Sequence, residues 1–277
     1  MVMTAEPVLP RRRAQAWATE IATPLLFGVG CFLIWEAAVR LFHIPLYIVP
    51  PPSDILSQFI RKFPRIWDYT LVTGAETVVG FCTAILIGVP LALVVAFSPL
   101  LRRTFYPLAV TLEMVPKIVF APIFVTWFGF GFLPKILVVY LVCFFPILLN
   151  GILAFTSLSI DLGRFCLSTG AGPLRTFLKV RLPAALPQLF VGIKGAAVNA
   201  TVGATIAEWI GGDAGLGYYI QIAAGDLFMD LAFAIIFMLA ALGLLLFWLV
   251  VLAERLLIPW HVSQRDPVQG RSVRPPP

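Results

Sequence analysis

The chain has 277 residues, of which 60% are hydrophobic and 12% are charged, and its formal net charge is +6. Soluble domains carry about 25% charged residues, so this composition excludes an ordinary soluble fold. Residues 77–101 and 136–160 contain no charged side chain, and about 20 apolar residues are enough to span a bilayer. The chain is therefore predicted to be a multi-pass membrane protein, in which an excess of Lys and Arg indicates orientation rather than nucleic-acid binding.

The apolar pattern predicts an all-α polytopic membrane protein with six transmembrane helices. No cleavage site follows the first apolar segment, so we expect that segment to be a retained span. Residues 1–20 are expected to form a cytosolic N-terminal segment, residues 21–258 the transmembrane domain, and residues 259–277 a disordered cytosolic tail. The predicted helices are approximately 21–42, 72–97, 105–127, 134–155, 186–210 and 229–258.

The distribution of positive charge predicts the orientation of these helices. One set of connections and termini carries 13 Lys and Arg residues, whereas the opposite set carries at most 5. Cytoplasmic segments are enriched in positive charge, so we expect both termini and the polar segment at 161–183 to be cytosolic.

The long outward connection at residues 44–68 contains a helix signal. Three prolines precede Ser53 and Asp54, which is typical of a helix start, and apolar residues then recur at helical spacing. This helix is predicted either to lie along the outer membrane surface or to pack against the bundle without a function of its own.

Several polar residues lie within the predicted spans, where ionisable groups are costly and mark functional sites or internal pairs. Glu113 and Lys117 are four residues apart and can pair on one helical face, and Pro116 between them leaves a backbone carbonyl without its partner. They either line a pathway or form a structural pair. Asn199 and Glu208 lie on a helix rich in small residues, which favour close helix packing and are compatible with a pathway or a subunit interface.

Three further charged residues within the spans are expected to have structural roles. Glu36 and Lys194 lie nearer the ends of their spans and are expected at the membrane interface. Glu76, near the outer end of the second span, is expected to be structural.

The polar segment at 161–183, called here the coupling segment, is predicted to form two short helices. Gly170 can close the first helix because glycine accepts left-handed geometry, and Pro173 suits the start of the second. Pro183 and Pro187 are expected to end the second helix and start the next span. Its apolar face would include Leu174 and Phe177, so the segment is predicted to be gripped by a cytosolic partner.

No set of catalytic residues is present in the sequence, which has no Gly-Lys dipeptide and therefore no phosphate-binding P-loop. The four cysteines and two histidines have no disulfide or metal-binding pattern. We expect no enzymatic activity and no cofactor in this chain, so any ATP would be hydrolysed by another protein.

The coupling segment resembles the cytoplasmic loop of permease subunits of ATP-binding-cassette (ABC) importers. The resemblance rests on Gly170, nine intervening residues, and then Val180, Leu182 and Pro183. The chain departs from the family at Arg164, Phe165 and Cys166, where the family has Glu-Ala-Ala. Further motifs resemble the nitrate, sulfonate and taurine branch: Pro116-Lys117-Ile118, Ala121-Pro122, Trp127-Phe128-Gly129, Phe144-Phe145-Pro146 and Gly215-Leu216-Gly217-Tyr218.

This resemblance implies a type I importer permease in a bacterial plasma membrane. Its partners would be cytosolic ATPase subunits that bind ATP and magnesium, a second permease subunit, most simply an identical one, and an extracytoplasmic solute-binding protein. The solute would be a small oxyanion, a sulfonate or taurine, or a small vitamin precursor. Residues expected to couple to the ATPase are Asp161, Arg164, Gly170, Leu174, Arg175, Phe177, Lys179, Leu182 and Pro183.

The polar residues within the spans supply the pathway candidates, and the outward segments, including the family-like Gly-Leu-Gly-Tyr loop, supply the docking candidates. Pathway candidates are Glu113, Pro116, Lys117, Asn199 and Glu208. Candidates for docking of the binding protein are Asp54, Asp213, Gly215, Gly217 and Tyr218. The alternative is a self-contained secondary carrier or channel that uses Glu113 and Lys117 and needs no ATPase.

Overall fold

A computed structural model describes residues 10–157, 166, 168, 170 and 172–260, with side chains from residue 22 onward. Within these residues the regular structure is helical. The helices are α1 (Pro10–Leu41), α2 (Pro52–Phe97), α3 (Pro99–Glu113), α4 (Phe120–Phe128), α5 (Phe132–Thr156), α6 (Pro173–Thr176), α7 (Leu182–Gly211), α8 (Leu216–Gly225) and α9 (Met229–Leu257). A 3-10 turn, Lys117–Val119, precedes α4, and a π-helical turn, Phe177–Arg181, joins α6 to α7.

Five of the described helices are long and apolar enough to cross a membrane, and a sixth span results if the bent pair α3 and α4 counts as one. Large apolar side chains cover the outer surfaces of these helices, as on Leu26, Leu86 and Leu244. In water such a surface would be unfavourable, whereas in lipid it is expected. The structure therefore agrees with the predicted all-α multi-pass architecture.

The residues fall into two compact units. The first comprises Met1–Phe63 and Ala223–Ala234. Within it, Glu36 Oε1 lies 2.5 Å from Arg40 Nε and accepts a 2.8 Å hydrogen bond from Ser53 Oγ. Glu36, expected at the membrane interface, is held in an ion pair and bonded to Ser53 at the start of α2.

The second unit comprises Pro64–Ile222 and Ile235–Pro277, and its core is the packing of α5 against α7. Glycines allow the two helix backbones to approach closely. A Cβ atom added at Gly192 would lie 2.6 Å from Asn150 Cβ, and one at Gly203 would lie 3.2 Å from Val139 Cα. Most of the small residues of the predicted fifth span therefore pack within the subunit, whereas Gly195 is exposed.

The structure corrects the helix at residues 44–68. Instead of a separate surface helix, residues from Pro52 onward belong to one 46-residue helix that ends at Phe97. Pro64 and Pro90 lie inside α2 without ending it, and the turn signal at Pro52 marks the start of the whole helix.

The predicted third span is broken. The axes of Pro99–Glu113 and Lys117–Phe128 differ by 80°. Pro116 lies at the break, where its missing N–H cannot continue the helical hydrogen bonds. Glycines at 129 and 131, with φ of 77° and 140°, then separate α4 from α5.

Two further differences concern the ends of the coupling segment and of α7. Pro183 and Pro187 do not end the second helix of the segment, because Pro173–Gly211 is one 39-residue helical stretch. Pro183 lies in the first turn of α7, where a missing N–H is tolerated. The sequence prediction missed the short helix α8. This helix directly follows a glycine-rich loop, and its ten residues are too few to give a clear helical pattern.

Candidate functional site

The coupling segment presents an exposed apolar surface on α6 and the π-helical turn. Leu174 is 69% exposed and Leu178 is 51% exposed. Arg175 and Lys179 are also exposed beside them. This surface therefore consists of two exposed aliphatic side chains next to basic side chains, and such a surface is suited to binding a protein partner.

Phe177 differs from Leu174 in its surroundings. Its ring is half-buried and packs edge-on against Phe97 at the end of α2, with ring centroids 5.6 Å apart. The Arg181 guanidinium lies 5.4 Å from the centre of the same Phe97 ring, within the range of a cation–π interaction. Phe177 thus attaches the coupling segment to α2, while Leu174 and Leu178 face outward.

Gly170 has the left-handed conformation that was predicted for it, with φ of 69°. Cys166 and Ser168 before it are helical. Asp161 and Arg164 lie outside the described residues. Leu182 and Pro183 are half-buried in the first turn of α7.

The pathway candidates Glu113, Pro116 and Lys117 meet at the break between α3 and α4. Lys117 Nζ lies 3.1 Å from Glu113 Oε2 and also donates to the Glu113 backbone carbonyl. Its ammonium lies 5.5 Å from the centre of the Phe145 ring. The predicted pair is present, and Lys117 satisfies a carbonyl at the break, where helical hydrogen bonds are interrupted.

Asn199 and Glu208 lie on opposite sides of α7. Asn199 is exposed, on the same helical face as Gly195 and Val202, and its side chain donates to the Gly195 carbonyl at 3.1 Å. Glu208 is fully buried inside the subunit. The structure therefore separates two residues that the sequence had grouped as pathway candidates.

The Glu208 carboxylate binds the start of α8. Its Oε2 accepts a hydrogen bond from the Gly217 N–H at 2.5 Å, and its Oε1 accepts from Thr73 Oγ1 at 2.6 Å. Thr73 Oγ1 in turn accepts the Leu216 N–H at 2.7 Å. Backbone N–H groups at the first turn of a helix need such acceptors, and the helix dipole favours a negative charge there.

The glycines of the outward loop are required by this arrangement. A Cβ atom at Gly215 would overlap the Glu208 carboxylate, and one at Gly217 would lie 2.7 Å from the Thr205 carbonyl oxygen. Gly215 also has φ of 114°, which side chains rarely adopt. Both glycines are buried, so the Gly-Leu-Gly motif allows the backbone to pack against Glu208.

A buried ion pair, Lys135 with Glu76, holds the same outward loop. Lys135 Nζ is 2.9 Å from Glu76 Oε1 and donates to the Ala214 carbonyl at 3.3 Å. Glu76 is fully buried and Lys135 is 3% exposed. Asp213 Oδ1 lies 3.6 Å from the same ammonium, although its side chain is 86% exposed. The structural role expected for Glu76 is thus an ion pair that also fixes the outward loop.

The remaining docking candidates differ in exposure. Asp54 is half-buried in the first unit, and Tyr218 is half-buried near Tyr69, with ring centroids 6.4 Å apart. Sequence reasoning missed Thr73 and Lys135, which bind the loop, and Glu254, which pairs with Lys194 at 2.9 Å. Their only signal is a polar residue in or beside an apolar run, which does not reveal its partner.

Comparison with known proteins identifies a family. Residues 84–258 match the model of the binding-protein-dependent transport system inner membrane component. The matched region includes the broken span, the coupling segment, Glu208 and the outward loop, whereas Thr73 and Glu76 lie before it.

Similar proteins cover most of the chain. A probable ABC transporter permease protein of Haemophilus influenzae is 33% identical over 81% of this chain and 92% of its own length. The formylaminopyrimidine transport permease protein ThiX of Halalkalibacterium halodurans is 32% identical over 87% of this chain and 96% of its own. The taurine transport system permease protein TauC of Escherichia coli is 27% identical over 94% of this chain and 98% of its own length.

A solved structure shares the fold. The methionine ABC transporter MetNI in inward-facing conformations aligns with a TM-score of 0.56 and 19% identity, covering 71% of this chain and 97% of that chain. Its architecture is that of a type I ABC importer permease. Together with the family match and the relatives that are about a third identical over most of their length, it shows that this chain belongs to the inner-membrane permease components of binding-protein-dependent ABC importers.

Proposed function

We propose that this chain forms the translocation pathway of an ATP-driven importer of a small solute and couples it to separate ATPase subunits. ATP and magnesium would be bound by the ATPase, because the chain has no P-loop motif. The observation that carries the proposal is the exposed Leu174 and Leu178 surface on a helix that Phe177 fastens to α2. A partner that moves this surface would move α2 with it.

The pathway is proposed to run along the exposed face of α7 and past the break between α3 and α4. Asn199 is the polar residue on that face, and the Glu113–Lys117 pair lies where the helix is interrupted. Broken membrane helices are common at solute sites in transporters, because they free backbone groups for binding. A second copy of the chain would close the other side of this pathway.

The solute is proposed to be a small organic or inorganic anion, or a small vitamin precursor. Relatives are named for the transport of formylaminopyrimidine, riboflavin, taurine and aliphatic sulfonates. Lys117 is neutralised by Glu113, so strong anion selection would rest with the binding protein rather than with this chain.

We place the protein in a bacterial inner membrane, with both termini and the coupling segment in the cytosol. The excess of positive residues on that side supports this orientation. The outward loop with Asp213 would then face the solute-binding protein.

The test is to purify the tagged chain from native membranes in mild detergent, with a photo-crosslinking amino acid at position 213, and to identify its partners by mass. We expect an ATPase with a P-loop in stoichiometric amount and a cross-linked binding protein. Leu174→Glu should remove the ATPase. Leu100→Glu is the matched control, since Leu100 is 73% exposed in a different predicted cytosolic connection.

Two results would contradict the proposal. A folded chain that purifies without an ATPase, yet carries solute flux alone in liposomes, would favour a self-contained carrier. Equal loss of the ATPase in Leu174→Glu and Leu100→Glu would show that the coupling surface lies elsewhere.

A further inference from the structure

The outward loop between α7 and α8 is tied to a buried pair of side chains, Thr73 on α2 and Glu208 on α7, called here the latch. We propose that the latch is a positioning element that holds residues 212–215 in the conformation that presents Asp213 to the solute-binding protein. This inference rests on the proposed function for the identity of the partner, and the geometry of the loop carries the rest.

The latch is a closed set of hydrogen bonds. Thr73 Oγ1 donates to Glu208 and accepts from Leu216 N–H, while Glu208 accepts from Gly217 N–H, with all three distances between 2.5 and 2.7 Å. Thr73 and Glu208 are both fully buried. A buried carboxylate without its donors is strongly unfavourable, so Glu208 can remain in place only while the loop stays closed over it.

The geometry of the loop points to positioning rather than to filling space. Gly212 N–H donates to the Glu208 backbone carbonyl at 2.9 Å, so the side chain and the backbone of one residue hold both ends of the loop. Lys135 binds the Ala214 carbonyl between them. Asp213 is the one exposed residue of 212–215, and it projects from a backbone fixed on both sides.

The charges around the loop support the same conclusion. Glu76 and Glu208 are both buried acids, and Lys135 on α5 is a cation that faces Glu76 and Asp213. The start of α8 supplies the Gly217 N–H to the Glu208 carboxyl group and the Leu216 N–H to the Thr73 hydroxyl. Displacement of the loop would therefore leave Glu208, Thr73 and Lys135 without the hydrogen bonds that the loop supplies, which makes an open loop unfavourable.

Threonine 73 offers a selective test, because valine has the same shape but lacks the hydroxyl. Thr73→Val leaves Glu208 without one donor and Leu216 N–H without an acceptor. Thr77→Val is the matched control: Thr77 is also buried, one turn along α2, but its hydroxyl donates to the Thr73 carbonyl within the helix. Both variants are made in the full complex, reconstituted in nanodiscs, in one form that keeps Asp213 and one that carries a nitroxide label at Asp213→Cys. The labelled form is used only for label mobility, and the form that keeps Asp213 is used for ATPase stimulation.

Two readouts are measured on each variant. The first is the mobility of the label at position 213, which needs no partner. The second is ATPase stimulation as a function of the concentration of the binding protein identified by cross-linking. For Thr73→Val we expect a more mobile label and a half-saturating concentration raised about tenfold, with the maximal stimulated rate retained.

The outcomes separate the latch from the proposed function. An unchanged label mobility in Thr73→Val, or the same change in Thr77→Val, would overturn the latch. A mobile label with unchanged dependence on the binding protein would overturn its role in docking. Absence of ATPase and of binding-protein stimulation in the unmodified complex would instead overturn the proposed function, while the label mobility would still decide whether the latch exists.

Discussion

Phe177 of the coupling segment packs edge-on against Phe97, the last residue of α2, and the Arg181 guanidinium covers the same ring. This contact joins the segment that we propose to meet an ATPase to a membrane-spanning helix. Leu174 and Leu178 are exposed and available to the partner. Different side chains would therefore bind the partner and fix the segment to α2.

Replacing Phe97 with alanine should weaken the coupling without removing the ATPase. The ring provides both an aromatic pair and a cation–π contact, each of about 0.5–1.5 kcal/mol. We expect the ATPase to co-purify normally, while stimulation of its activity by the binding protein falls severalfold. Phe97→Tyr, which keeps the aromatic face, is the control. Loss of the ATPase in Phe97→Ala would contradict this division of roles.

Gly170 should tolerate asparagine better than valine. Its φ of 69° lies in the left-handed region, which is strongly unfavourable for a β-branched residue but open to asparagine. We expect Gly170→Val to insert stably and to lose stimulated ATPase activity. Gly172→Ala is the control, because Gly172 has φ of −63° and free space around it. Normal activity of a stably inserted Gly170→Val would refute the argument.

Gly192 and Gly195 should differ sharply, although both lie on α7. A Cβ at Gly192 would lie 2.6 Å from Asn150 Cβ, whereas one at Gly195 would meet, among the described residues beyond its own helical turn, no atom within 4 Å. Overpacking typically costs about 1–3 kcal/mol. We expect Gly192→Val to lower the thermal unfolding temperature of the detergent-solubilised chain, and Gly195→Val to leave it unchanged. The reverse order would mean that α5 and α7 pack differently.

Removal of Lys194 alone should be worse than removal of the whole pair. Lys194 Nζ lies 2.9 Å from Glu254 Oε2, and Glu254 is 5% exposed. Lys194→Met leaves this acid unpaired, which costs on the order of a few kcal/mol for a buried pair. The double variant Lys194→Met with Glu254→Gln should recover much of the lost thermal stability. Equal stability of the single and double variants would show that the pair is not coupled.

The pair at the helix break can be tested for a role in transport. If Glu113 and Lys117 line the pathway, Glu113→Gln combined with Lys117→Met should insert and bind the ATPase but lose solute uptake by tenfold or more. As control, Glu36→Gln combined with Arg40→Met removes an i,i+4 pair that is more exposed and lies on another helix. Retained uptake in the Glu113 and Lys117 variant would assign that pair a purely structural role.

Sequence reasoning reached the membrane architecture and the conformation of Gly170, because long apolar runs and a glycine at a helix end have few alternative explanations. It also predicted the pair of Glu113 and Lys117, because residues four apart on a helix lie on the same face whatever the rest of the fold. It failed at the separate helix within residues 44–68, which continues into the second span, and at Pro183 and Pro187, which lie inside one helical stretch instead of ending it.

The contacts of Glu208 could not be predicted for a different reason. Its partners are 135 residues away at Thr73 and 9 residues away at Gly217, and no local pattern relates them. The sequence motif at Gly215 and Gly217 was visible, but its cause is the space required by a carboxylate from another helix.

Thr73 and Phe97 lie on the same helix, α2. At 1.5 Å per residue they are on the order of 36 Å apart along its axis, which exceeds the roughly 30 Å of a bilayer's hydrocarbon core. In the proposed orientation, one helix therefore contacts the outward loop, which would face the binding protein, near one end and the coupling segment, which would face the ATPase, at the other. Binding of the loaded binding protein outside and ATP hydrolysis inside would then be linked by tilting or translation of α2 itself, and no hinge between separate spans would be required.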